Sequence, residues 1–181
     1  NNIITLAQMT TDSSRYHYIN LENYKTKGFN GDLTFVYPKL RLGLGGGMVY
    51  QYNILSETED VSTFNHYPEF KVNATYKLKT LGLQLSYFFK YQGETQNFTI
   101  DDQDNISLNY IGAYSLSDVT VSKYLSKEKV KLMFGVKNLL DVTNVNANTS
   151  GGVHSGGASS VSVGTGRSYF FSLEVKLHSK S

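Results

Sequence analysis

The chain has no cysteine, no tryptophan and only 2 prolines in 181 residues. Without cysteine, disulfide frameworks, zinc–thiolate centres and cysteine nucleophiles all fall away. No apolar run approaches the roughly 20 residues that a membrane-spanning helix requires. A net charge of +2 with both signs interspersed is too weak and too mixed for a nucleic-acid surface. Gly-X-Ser-X-Gly, HEXXH and P-loop signatures are all missing, so the reading is non-enzymatic, with no metal site and no resident cofactor. The sequence opens without a signal peptide, which reads as a mature product or a fragment.

What is present is 14 Tyr, 10 Phe and 16 Gly, a composition that favours an all-β protein. The segment 81–91 reads LGLQLSYFFKY, with Leu81, Leu83, Leu85, Tyr87, Phe89 and Tyr91 on one parity. Gly82, Gln84, Ser86, Phe88 and Lys90 take the other. Alternate side chains of a strand lie on opposite faces, so one face is apolar and the other mostly polar. The same alternation runs through Phe70, Val72, Ala74, Tyr76 and Leu78, through Val130, Leu132, Phe134 and Val136, and through Tyr169, Phe171, Leu173 and Val175. Phe29, Leu33, Phe35 and Tyr37 repeat it near the start.

The joins between these stretches are of two kinds. Short ones fall at Pro38-Lys39, Lys79-Thr80 and 126–129; long polar ones run over 9–15, 56–66, 95–112 and 141–166. Transmembrane β-barrels have tight turns on one rim and long external loops on the other. Stripes about 10 residues long suit tilted strands crossing a hydrocarbon layer, and Tyr50, Tyr52, Tyr87 and Tyr91 sit where interfacial aromatic girdles would lie. A soluble β-sandwich or lipocalin-like barrel alternates too, burying its apolar face in a core. The pattern predicts eight strands, at about 2–9, 17–37, 40–54, 67–78, 81–94, 113–125, 129–140 and 167–177. An even count places both termini on the short-turn, periplasmic side and the four long loops outside.

Eight strands also make the smallest complete outer-membrane barrel. The strand-like opening at Asn1, the overlong second strand and Gly43, Gly45 and Gly47 on the polar face favour a piece of a larger barrel. The glycines fit a wide lumen or contact with an internal plug, and a bend at Gly45-Gly46-Gly47 explains them equally well.

The stretch FGVKNLLD at 134–141, followed after a long loop by Gly166-Arg167-Ser168-Tyr169-Phe170-Phe171, resembles the C-terminal end of TonB-dependent outer-membrane receptors. A penultimate strand in that family ends in an NLFD box, and the last strand opens on a Gly-Arg-aromatic motif. Residues 23–37 with Gly28-Phe29, and Ser117-Asp118-Val119, match further family strands. The likeness is greatest to receptors of the Bacteroidota, of haem or cobalamin type. It implies the last third of a 22-stranded barrel in the outer membrane of a Gram-negative bacterium, taking up haem, cobalamin, a siderophore or a glycan. The implied partners are the rest of the barrel, its plug, TonB acting through the absent N-terminal part, outer-membrane lipid and a surface lipoprotein. In that family the chain usually ends on an aromatic residue, whereas here the closing strand runs on into His178-Ser179-Lys180-Ser181.

Candidate ligand contacts are His154, in the loop TSGGVHSGGASSVSVGTG, and His66, at the end of the second long loop. Histidine is a usual haem ligand; a solvated histidine is the plainer reading of both. The run Asp101-Asp102-Gln103-Asp104-Asn105 offers oxygen ligands to calcium but lacks an EF-hand's glycine and distal glutamate, and a solvated loop tip suits it better. Glu69, Lys71, Lys90, Asp118 and Glu174 are predicted to line the polar face.

Overall fold

The computed structural model describes residues 3–12, 15–21, 23–52, 65–126, 129–149 and 159–176. These residues form thirteen β-strands, with a single 3-10 turn at Lys79–Leu81. No helix among them is long and apolar enough to cross a membrane.

Seven strands form the larger sheet: β3 (Lys25–Val36), β4 (Leu40–Tyr52), β5 (Asn65–Leu78), β6 (Leu83–Gln92), β9 (Tyr114–Leu125), β10 (Val130–Lys137) and β13 (Ser168–Val175). The spatial order is β13-β10-β9-β6-β5-β4-β3, with every pair antiparallel. Tight turns set the register at one rim. Tyr37 N–H donates to Leu40 O at 2.8 Å, and Gly82, at φ 57°, closes the 3-10 turn onto Lys79 O at 3.1 Å. That left-handed φ suits glycine.

The register stacks the apolar parity of every strand on one face. Leu42 lies opposite Phe35 and Ala74, Ala74 opposite Tyr87, and Tyr87 opposite Val119. Val119 meets Val136, and Val136 meets Tyr169. Six inter-strand spacings of about 4.8 Å make this face about 29 Å wide. Among the described residues no layer covers it: Phe29 is 67%, Phe134 51% and Phe171 68% exposed. The stripe over residues 68–78 is about 33 Å long at about 3.3 Å per residue, or about 25 Å tall at a tilt near 40°. At its upper limit Lys25 stands over the Tyr52 ring at 5.2 Å and Lys27 over Tyr50 at 5.7 Å. Tyr87 lies in mid-stripe rather than at the girdle.

The second sheet has the order β12-β11-β8-β7-β1-β2. It is built from β1 (Ile3–Met9), β2 (Tyr16–Leu21), β7 (Thr95–Ile100), β8 (Ile106–Ile111), β11 (Asn144–Thr149) and β12 (Ser159–Ser162). Ala7, Ile19, Leu21, Phe98, Ile100 and Leu108 are its buried core, drawn from this sheet alone.

Several expectations are corrected here. The stretch at 2–9 is not a strand of the large sheet; it pairs with β2 and, in parallel, with β7. The long strand at 17–37 divides near Asn23, whose φ of 54° turns the chain from one sheet to the other. The large sheet therefore has seven strands, with β3 starting at the long-join rim and β13 finishing at the short-join rim. The even count that put both ends on one side does not hold. Loops expected over 95–112 and 141–166 are largely the hairpins β7–β8 and β11–β12. Among the described residues β3 and β13 do not pair with each other, so the sheet is open and no closed barrel forms.

Candidate functional site

The face opposite the apolar one is polar, and its charges are arranged in pairs. Asp32 on β3, Gly45 on β4 and Lys71 on β5 stand in one cross-strand row. Lys71 Nζ reaches over β4 to Asp32 Oδ1 at 3.0 Å. A Cβ on Gly45 would run into both the Lys71 chain and the Asp32 carboxylate, so the glycine clears the path between them. Lys90 lies beside Lys71 on β6 and turns the other way, to Glu69 at 3.2 Å. The two like-charged neighbours thus each lean on a separate acid. The four side chains are between 32% and 58% exposed, so each pair contributes at most about 1 kcal/mol. Their effect is to keep a wet face neutral in its middle.

The polar face is also shaped by missing side chains. Gly43 and Gly45, with Asp32, Thr34, Arg41, Asn73 and Thr75, line an open cavity of about 400 Å³. The backbone of β4 carries straight through Gly45-Gly46-Gly47 in unbroken register with β5, so these glycines hollow the face without bending the strand. Toward the other edge of the sheet, on this same polar face, the Phe170 ring lies over Gly135 on β10, where any Cβ would collide with it.

The second arrangement is a turn at the end of β10. Asn138 and Asp141 both take left-handed conformations, at φ 50° and 57°, which asparagine and aspartate tolerate better than most residues. Asn138 N–H donates to Asp118 Oδ1 at 2.8 Å, and Leu139 N–H to Ser117 O at 2.6 Å. The Asn138 amide donates to Val142 O at 2.9 Å and to Thr165 O at 3.0 Å, and accepts from Val142 N–H at 3.0 Å. Asp141 Oδ1 accepts from Arg167 N–H at 2.7 Å, and Arg167 Nε donates to Leu139 O at 3.1 Å. The turn 138–141 and the segment 165–167 therefore clasp the two ends of one long excursion. Asp118, expected to line the polar face, is on it but is engaged in this clasp.

Glu69, Lys71 and Lys90 lie in neighbouring rows of β5 and β6 and are joined by Asp32, which the sequence reading did not single out. Glu174 stands apart, 3.9 Å from Lys131 at the short-join rim. His66 is not in a loop: it lies in β5 on the apolar parity, exposed and opposite Tyr50. It does not face the polar cluster. His154 lies outside the described residues.

In the β7–β8 turn, Asp101 spends its carboxylate on the turn itself. It accepts from Asn105 Nδ2 at 2.9 Å and from the backbone N–H groups of Asn105 and Gln103 at 2.8 and 2.9 Å. The Asn105 side chain, then its backbone, holds the Asp101 carboxyl below the usual carboxylate range. A folded-state value below the unfolded one stabilises the turn above the ordinary carboxylate pKa, near 3.9. That contribution is lost as pH falls through the lowered value. Protection of the Gln103 and Asn105 amides, taken relative to their intrinsic exchange rates, is expected to hold from pH 7 down to about 4 and to fall below it. In Asp101→Asn this acid-dependent step should vanish; an unchanged step would place its origin elsewhere.

No protein-family model, curated protein or solved structure matches this chain.

Proposed function

We propose that the chain is wall from a larger outer-membrane β-barrel, the C-terminal part of a TonB-dependent receptor that takes up a scarce nutrient. The observation that carries this reading is the uncovered apolar face, in register across seven strands and backed by a polar face. Its area, on the order of 1,000 Å² from the dimensions above, far exceeds the patches that soluble monomers leave open. Hydrocarbon satisfies such a face; water does not.

The two free edges support a larger assembly. In a bilayer each unpaired backbone group on β3 or β13 would cost several kcal/mol. Further strands continuing the sheet at both edges remove that cost. The polar face then lines a passage, and the six-stranded sheet of hairpins stands beyond the long-join rim. The Asn138–Asp141 turn and the Gly166-Arg167 entry, the residues on which the family resemblance rests, are bonded to each other. A shared task for the two motifs, anchoring the loop between the last two wall strands, fits this reading. A self-contained eight-stranded barrel is less well supported, because the sheet has seven strands and open edges.

Mass spectrometry of the particle purified from membranes tests the proposal. Companion polypeptide completing the barrel is expected alongside or in continuity with this chain, in a particle that needs detergent to stay monodisperse. A lone 20-kDa monomer, stable without detergent, would overturn it.

A further inference from the structure

The charges left over from the polar-face pairs are not spread evenly. At the first short join stand Lys39 and Arg41, and at the second Lys77 and Lys79. The third brings Lys123, Lys129 and Lys131, and Lys176 follows the end of β13. Among the described residues only one acid, Glu174, shares this rim, 3.9 Å from Lys131. The opposite end is mixed: Arg15 is paired to Asp12 at 3.3 Å, and Glu94, Asp101, Asp102 and Asp104 offset Lys25 and Lys27. Mid-wall charges are neutralised in pairs. The short-join rim is therefore a line of cations along one border of the apolar face.

We infer that this rim is a contact surface for anionic phospholipid headgroups of the adjoining leaflet. The inference rests on the membrane-wall reading and goes beyond it in naming the lipid. Three features favour headgroups over an acidic protein. Every join contributes cations, so the charge follows the whole width of the sheet instead of forming one cluster. Leu78, Leu83, Leu125, Val130 and Val175 end the apolar stripes immediately beside these joins, which sets the cations at headgroup level. Several of the lysines, Lys39, Lys79, Lys129 and Lys176 among them, are exposed, on stems long enough to reach a phosphate.

Arg41, Lys77 and Lys131 point to the polar side. The wall is a single sheet, so these too lie within about one Debye length, 8–10 Å, of the headgroup plane and add to its attraction. Basic residues beside a bilayer each strengthen binding to anionic lipid several-fold. The shared chemistry is the phosphate monoanion, and the planar array selects phosphate held in a leaflet.

The test uses the complete particle in nanodiscs of mixed phosphatidylcholine and phosphatidylglycerol, reading retained lipid by native mass spectrometry. Wild type is expected to retain phosphatidylglycerol about tenfold over its share of the mixture. The quadruple variant Lys39→Gln/Lys79→Gln/Lys129→Gln/Lys176→Gln should lose most of that enrichment, to about twofold or less, and 0.5 M NaCl should do the same to wild type. Millimolar glycerol phosphate should displace nothing. Insertion without any lipid preference, or displacement by glycerol phosphate, would overturn the inference and leave the membrane wall standing. Failure to insert in any nanodisc would remove the wall reading and this inference together.

Discussion

Val72→Arg is expected to cost about 2–4 kcal/mol of folding stability in a zwitterionic bilayer, and Asn73→Arg less than about 1 kcal/mol. The two residues are neighbours on β5 and point to opposite faces. Val72 pairs with Leu44 and Phe89 on the apolar side, while Asn73 stands opposite Gly43 and Phe88 on the polar side. A guanidinium at position 72 must sit in hydrocarbon or drag water to itself; at position 73 it stays in the wet passage. Depth makes the experiment discriminating. Leu78→Arg, on the same parity at the short-join rim, should cost only about 0–1 kcal/mol, because its charge reaches the interface. A face buried against another protein layer would show no such gradient along the strand. Urea titration of the complete particle in lipid vesicles measures all three. Equal losses for Val72→Arg and Leu78→Arg would contradict a lipid-facing stripe.

Asn138→Ala should release the base of the long excursion. The side chain is 7% exposed and makes three hydrogen bonds to backbone groups of Val142 and Thr165. Truncation leaves those groups without their partner at a cost of about 1–3 kcal/mol, and alanine tolerates the left-handed backbone worse by about 1 kcal/mol. A local loss near 3 kcal/mol corresponds to about a hundredfold faster amide exchange at Val142 and Arg167. Exchange in mid-strand β5 should not change. Asn138→Asp keeps the acceptor but sets a carboxylate oxygen against the Val142 and Thr165 carbonyls, so at neutral pH it should lose at least as much as Asn138→Ala. Leu139→Ala, at a partly exposed neighbour whose backbone alone serves the clasp, should stay near wild type. Exchange at Arg167 unaltered in Asn138→Ala would show that the turn holds without its asparagine.

The large sheet was legible because its information is local. Alternation in 70–78, 83–91, 130–136 and 169–175 assigns side chains to a face and the register follows it, whereas Leu81 and Gly82, read as the start of a strand, belong to the 3-10 turn and its cap. What alternation does not carry is the identity of the neighbouring strand. The stretch 3–9 reads as a strand just as the wall segments do, yet it pairs with β2 and β7 in the other sheet. That choice depends on a contact between residues some ninety positions apart. The break at Asn23 was illegible for a related reason: one left-handed residue leaves no mark on a hydrophobic pattern. Gly45 shows a third limit. Its place on the polar face was readable, but its use, letting Lys71 reach Asp32 across an intervening strand, needs three strands in register at once. His66 was misplaced because a loop boundary set a few residues late moves a side chain from a tip into a strand.

The adjacent aromatics Phe88 and Phe89 give the most direct test of the central claim, that one face of this sheet meets lipid and the other lines a passage. They sit side by side on β6, Phe88 opposite Asn73 and Asp118, and Phe89 opposite Val72 and Ser117. The chain has no tryptophan of its own, so a single introduced indole in this segment reports its own surroundings. Any signal from companion polypeptide is removed by comparison with the unsubstituted particle. In vesicles containing brominated acyl chains, Phe89→Trp should be strongly quenched and Phe88→Trp should not. Equal quenching of the two, or none of either, would contradict the account.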